Sequence, residues 1–107
     1  MAKIMALARE KEAGWAIHPG EILDEEFLKP LGISQYRLAK QIGVASQAIN
    51  DIVNRKRGIS VDMAMRLGRF WRTSPEFWLN LQVAYDVRTI DKQSKKRIEK
   101  IQPYRAA

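Results

Sequence analysis

The 107-residue sequence predicts an all-α domain of five helices, followed by a basic C-terminal tail that is itself weakly helical. Two observations predict this. Apolar residues return at helical spacing in five successive stretches, and nearly every stretch is bracketed by helix start and stop signals. The connectors are short as well, with only about three residues between the second and third stretches.

The first helix is predicted from Pro19 to Lys29. Pro19 suits a first turn, Glu21 and Asp24 complement the positive end of the helix dipole, and Pro30 with Gly32 reads as the stop. Ile22, Leu23 and Phe27 face inward. Ser34 caps the second helix, SQYRLAKQI, whose Leu38, Ala39 and Ile42 share a face before Gly43 ends it. The third begins near Ala45, carries Ala48, Ile49, Ile52 and Val53, and stops in the polar NRKRG. Ser60 caps the fourth, with Val61, Ala64, Met65, Gly68 and Trp71 on its predicted inner stripe. Ser74, Pro75 and Glu76 open the fifth, which repeats Phe77, Trp78, Leu81, Ala84 and Tyr85. A weak helix from Ser94 to Ile101 follows. The expected organisation is an N-terminal arm over 1–14, a helical domain over 15–88 and a basic tail over 89–107.

A chain of this length, 46% hydrophobic, buries one genuine core and not two. Its net charge of +7 favours an anionic partner, either nucleic acid or a membrane face. Residues 1–30 hold four bases against six acids, and residues 31–107 hold fifteen against six, so the basic surface belongs to the part that starts near Leu31. With no cysteine and one histidine, neither a thiolate site nor a transition-metal site has support, and no cofactor is expected. No apolar run reaches the ~18 residues of a membrane span. A cytoplasmic protein without a membrane partner is expected.

The second and third helices, joined by a tight glycine turn, match the helix-turn-helix arrangement, in which the second helix of the pair enters the DNA major groove. Such a pair needs a small residue where the helices touch, which Ala39 supplies. It needs a residue tolerant of positive φ at the turn, which Gly43 supplies, and an apolar seam, which Leu38, Ile42, Val44, Ile49 and Ile52 supply.

HPGEIL, the stretch SQYRLAKQIGVASQAINDIVNRKRGIS through VDMAMRLGRFW, and SPEFWLNLQVAYDV together resemble the HigA (VapI-like) antitoxins, within the lambda-repressor-like helix-turn-helix group. The resemblance covers roughly residues 17–88, and SPEFWLNLQ is its most specific part. It implies a five-helix DNA-binding domain, a homodimer on a palindromic operator in its own promoter, and neutralisation of a RelE-like (HigB-type) mRNA-cleaving toxin. A stand-alone transcriptional regulator with no toxin partner is the alternative. The group usually places glycine just after the recognition helix. Here the chain has Asn54, Arg55 and Lys56, and Asn54 is the residue suited to the left-handed conformation.

If the third helix starts near Ala45, then Ser46, Gln47 and Asn50 are best placed for base edges. Gln47 is the strongest of these, because an amide both gives and accepts, as adenine requires. Asp51 points to the same side, where it either accepts from cytosine or pairs with a neighbouring Arg or Lys. Ser34 and Gln35, at the start of the second helix, suit a phosphate oxygen. Arg37, Lys40, Arg55, Lys56 and Arg57 are further phosphate candidates. The aromatic fifth helix is mostly core by composition, yet Trp78, Leu81 and Tyr85 also suit a dimer or toxin interface. His18, just before Pro19, suits a capping or surface role, and the acids of the first helix read as a solvated first turn. Catalysis has no constellation to support it. The neutral Ser-Gln-Asn face also argues against double-stranded RNA, whose deep major groove excludes such a helix.

Overall fold

The computed structural model describes residues 16–105 and contains, among them, six helices and no strand. They are α1 (residues 19–31), α2 (Gln35–Ile42), α3 (Ser46–Val53), α4 (Val61–Trp71), α5 (Pro75–Arg88) and α6 (Lys92–Glu99). The arm expected over 1–14 lies outside the described residues.

His18 opens α1. Its backbone is extended and its buried ring nitrogen Nδ1 accepts the Gly20 N–H at 2.9 Å, so it caps the helix while Pro19 takes the first helical position. Contrary to the sequence expectation, Pro30 does not stop this helix. Residues Leu23–Leu28 widen into a π-helix in which the Lys29 N–H reaches the Asp24 carbonyl, and the chain continues helically through Leu31. A proline ring clashes with the carbonyl one turn back and offers it no N–H. A wider turn relieves that conflict, which is why the proline is tolerated. Gly32, at φ 63°, then ends the helix.

Ser34, Ser60 and Ser74 each accept the N–H three residues on, capping α2, α4 and α5 as their sequence positions suggest. The last helix is displaced from its expected span. Asp91 is its cap: the carboxylate accepts the Ser94 N–H at 2.8 Å, so α6 begins at Lys92, two residues before the expected start at Ser94. None of its residues is buried.

α2 packs on α3, α4 packs on α5 and α2, and the start of α1 packs against α3 and α5. Leu23, Leu38, Ile49, Ile52, Leu67 and Trp78 are fully buried where these helices meet. Two expectations are corrected here. α4 buries Met63, Ala64, Leu67 and Gly68, whereas Val61 and Met65 stay 62% and 58% exposed. Apolar residues occupy both sides of that helix, so periodicity alone leaves its phase open. Gly68, on the inner stripe in either phase, packs so closely on the next turn that an added Cβ would lie 2.8 Å from the Thr73 carbonyl oxygen. The second correction concerns Trp78 and Leu81, which are core residues at 0% and 6% exposure and offer no partner a surface. Trp78 packs on Phe27, and its indole N–H donates to Thr73 Oγ1 at 2.9 Å. Tyr85 is half-buried, its ring edge-on to His18.

Candidate nucleic-acid interface

Two neighbours hold α3 in place. Beneath its C-terminal end lies Gly20, at so close an approach that a Cβ there would overlap the Ile52 carbonyl. At its N-terminal end is the turn from α2, where Gly43 takes φ 73° and the Val44 N–H returns to the Ala39 carbonyl at 3.0 Å. Leu38, Ala39, Ile42, Ile49 and Ile52 are buried along this helix pair and Val44 is half-buried. The packing half of the motif is therefore assembled from the residues the sequence pointed to.

The turn is also tied to α4 by a residue that sequence reasoning missed. Arg66 donates through Nη1 to the Ile42 carbonyl at 2.7 Å and sends Nε to Asp62 Oδ2 at 2.8 Å. The i,i+4 spacing of Asp62 and Arg66 was visible. The carbonyl it reaches, 24 residues away, was not.

The outward half of α3 carries Ser46, Gln47, Asn50, Asp51 and Asn54. Ala45 stands at the N-cap with no side-chain acceptor, so no side chain closes over the first turn. Ser46 and Gln47 are exposed. Gln47 Nε2 donates to Asp51 Oδ1 at 2.8 Å, and Asp51 Oδ2 lies 3.8 Å from Arg57 Nη2. Asn50 bridges the helix pair: its Nδ2 donates to Gln35 Oε1, and its Oδ1 accepts from Asn54, both at 3.1 Å. Two strings of side chains thus run along the face, one from Gln47 to the basic loop and one from α2 to the end of α3.

Flanking cations border this face, whose one charged residue is Asp51. Arg37, Lys40, Arg55, Lys56 and Arg57 are all exposed. Lys40 Nζ stands 5.9 Å from the Tyr36 ring centroid, a contact with an exposed tyrosine that the sequence reading did not anticipate. Ser34 Oγ accepts the Arg37 N–H at 3.0 Å, which leaves its hydroxyl proton free to donate. Arg55 pairs with Glu21 at 3.3 Å. The left-handed residue after α3 is Arg55, at φ 63°, and not Asn54, at φ −88°. Asn54 donates its amide to Asn50 and remains at the helix end, so the reversal falls one residue later. Below this loop, burial first and the positive charge of Arg55 second hold the His18 imidazole below its ordinary pKa.

Neutral amides and hydroxyls suit base edges, and cations at the margins suit phosphates, so the surface has the two kinds of contact that DNA recognition uses. Among the described residues no cluster of His, Cys, Asp or Glu could hold a metal ion, and no helix is long and apolar enough to cross a membrane.

Comparison with known proteins accords with this geometry. Residues 25–78 match the helix-turn-helix family HTH_3. Virulence-associated protein I of Dichelobacter nodosus is 48% identical over 92 residues, spanning 84% of this chain and 85% of that protein. The structure of Pseudomonas aeruginosa antitoxin HigA with the higBA promoter superposes with a TM-score of 0.77 at 48% identity, covering 82% of this chain and 97% of that one. The chain belongs to the HigA family of helix-turn-helix proteins. A second HigA-family structure, the addiction module antidote protein of Coxiella burnetii, agrees equally well: TM-score 0.77, 46% identity, 83% of this chain and 98% of that one. These HigA relatives are antitoxins or antidotes by name, not enzymes.

Proposed function

We propose that this chain is the DNA-binding antitoxin of a type II toxin–antitoxin pair, acting in the cytoplasm to repress its own operon and to neutralise a RelE-like (HigB-type) mRNA-cleaving toxin. One observation carries the reading. A relative nearly half identical, whose backbone superposes with a TM-score of 0.77, was solved on promoter DNA, and the α3 face that would meet DNA here turns amides and a hydroxyl outward and is bordered by cations.

Ser46 and Gln47 read base edges from the first turn of α3. Asn50 braces α2 against α3 and shares the reading face. Ser34, Gln35, Arg37, Lys40, Arg55, Lys56 and Arg57 take phosphates. The reading unit is residues 15–88, with 1–14 as an arm and 89–107 as a basic tail. The chain acts as a homodimer on a palindromic operator, its two α3 helices ~34 Å apart. Since Trp78 and Leu81 lie in the core, the partner surface of α5 is the exposed apolar row Val83, Val87 and, just past the helix, Ile90.

Two experiments test the reading. Duplex DNA from upstream of the coding sequence should bind far more tightly than structured RNA at matched salt. Co-expression with the neighbouring small open reading frame should give a complex that co-purifies. Failure to form one removes the antitoxin role and leaves a stand-alone regulator; failure to prefer the duplex removes both.

A further inference from the structure

We infer that Asp51 sets DNA specificity as a positioning residue: its carboxylate orients the Gln47 amide for base contact and restrains Arg57, and does not itself read a base. This rests on the DNA-binding reading above and deepens it.

The two carboxylate oxygens have separate partners. Oδ1 accepts from Gln47 Nε2 at 2.8 Å, and Oδ2 faces Arg57 Nη2 at 3.8 Å. A free glutamine amide presents its oxygen and nitrogen interchangeably, but an ionised carboxylate only accepts. Asp51 therefore selects one of the two amide orientations, with Nε2 toward itself and Oε1 turned away. What remains on Gln47 is one N–H and one acceptor, the pair that matches the N7 and N6 positions of adenine in the major groove.

The two bonds differ in strength. The short contact to Gln47 is charge-assisted and persists. The contact to Arg57 is long, and the arginine side chain is 53% exposed against 22% for Asp51, so a phosphate can displace it. Until that happens Asp51 holds one cation of the loop partly neutralised and sets a negative charge facing the DNA backbone. Both effects weaken sequence-blind docking more than docking in which Gln47 finds its base, and repulsion of that kind raises discrimination.

The test is selection of binding sites from a random duplex pool by the full chain and its Gln47→Ala, Asp51→Ala, Asp51→Glu and Asp51→Asn variants. A parallel salt titration uses one random-sequence duplex. Gln47→Ala identifies the base pair that Gln47 reads. Asp51→Ala should relax preference at that same pair by about tenfold, and Asp51→Glu should restore part of it. Asp51→Ala and Asp51→Asn should both bind the random duplex several-fold more tightly at low salt, a gain that shrinks when Arg57→Ala is added. Unchanged preference in Asp51→Ala would overturn the inference, as would relaxation at a different base pair, which would make Asp51 a reader in its own right. The near-isosteric Asp51→Asn carries the random-duplex arm should Asp51→Ala not fold. A wild-type chain that enriches no sequence at all overturns the DNA-binding reading itself, a result distinct from either of these.

Discussion

The Arg66 guanidinium closes the turn between α2 and α3 by donating to the Ile42 carbonyl at 2.7 Å while Asp62 holds its other edge. The carbonyl ends a helix and has no intrahelical donor, so the arginine meets a need that water would otherwise meet imperfectly. Hydrogen bonds to charged groups contribute about 1.5–3 kcal/mol, and partial exposure places this one toward the lower end. Arg66→Ala should therefore cost about 1–2 kcal/mol in urea unfolding. DNA affinity should fall by more than stability predicts, because the turn that aims α3 loosens.

Gly20 should tolerate no side chain. A Cβ there meets the backbone of Ile52, which has no rotamer to move aside. Overpacking typically costs about 1–3 kcal/mol, and a rigid neighbour puts Gly20→Ala at the top of that range. Thermal denaturation is the measurement, and an unchanged midpoint would show that α1 and α3 separate easily.

Arg55 should divide stability from DNA binding. Its left-handed backbone costs an ordinary residue about 1–2 kcal/mol, and glycine nothing. Arg55→Gly gives up the exposed contact with Glu21, worth about 0–1 kcal/mol, so stability should be unchanged or rise by up to about 2 kcal/mol. Binding to every duplex should weaken, with the salt slope reduced by roughly 1. Urea unfolding and salt-dependent titration of the same preparation read the two effects separately.

His18 should make the fold less stable in mild acid. The folded imidazole sits below its ordinary pKa, because burial and then the charge of Arg55 disfavour the proton. The unfolded chain protonates near pH 6.5. Above about pH 7 both states are neutral and stability is complete. As pH falls below about 6.5 the unfolded state binds a proton that the native state refuses, so stability declines until the native His18 titrates too. His18 is the chain's only histidine, which makes the slope attributable. Urea midpoints between pH 7.5 and 5.5 should fall in the wild type and stay level in His18→Asn, which keeps a capping acceptor.

Local chemistry accounts for what was legible in the sequence. Ala39, Gly43, Val44 and Ile49 lie within eleven residues, and the turn they make depends on each other more than on the rest of the molecule. The capping serines are equally local. The phase of α4 was not legible, since Val61 and Met65 are as apolar as Met63 and Leu67, and Ala64 and Gly68 belong to the inner stripe in either phase. Trp78 and Leu81 show the same ambiguity between core and interface, because aromatic and aliphatic side chains suit both. On α3 the outward residues followed from the period, but their mutual bonds did not. The spacing of Gln47 and Asp51 permits a contact without requiring one, and the Asn50 bridge to Gln35 needs two helices already in place.

The wide turn in α1 has a consequence for the chain's length. A π-helical stretch holds more residues per turn than the α-helix on either side of it, so Leu23–Leu28 act as slack between Gly20 at one end and Pro30 at the other. Removing one residue there would let the stretch tighten to an α-helix, which takes up the missing residue and leaves the two ends in nearly the same relative orientation. Gly20 would stay against Ile52, and the cost would fall on Pro30, whose ring would again meet the carbonyl one turn back. A one-residue deletion in this stretch should therefore be better tolerated than one in α3 or α4, where nothing absorbs the step of about 100° per residue.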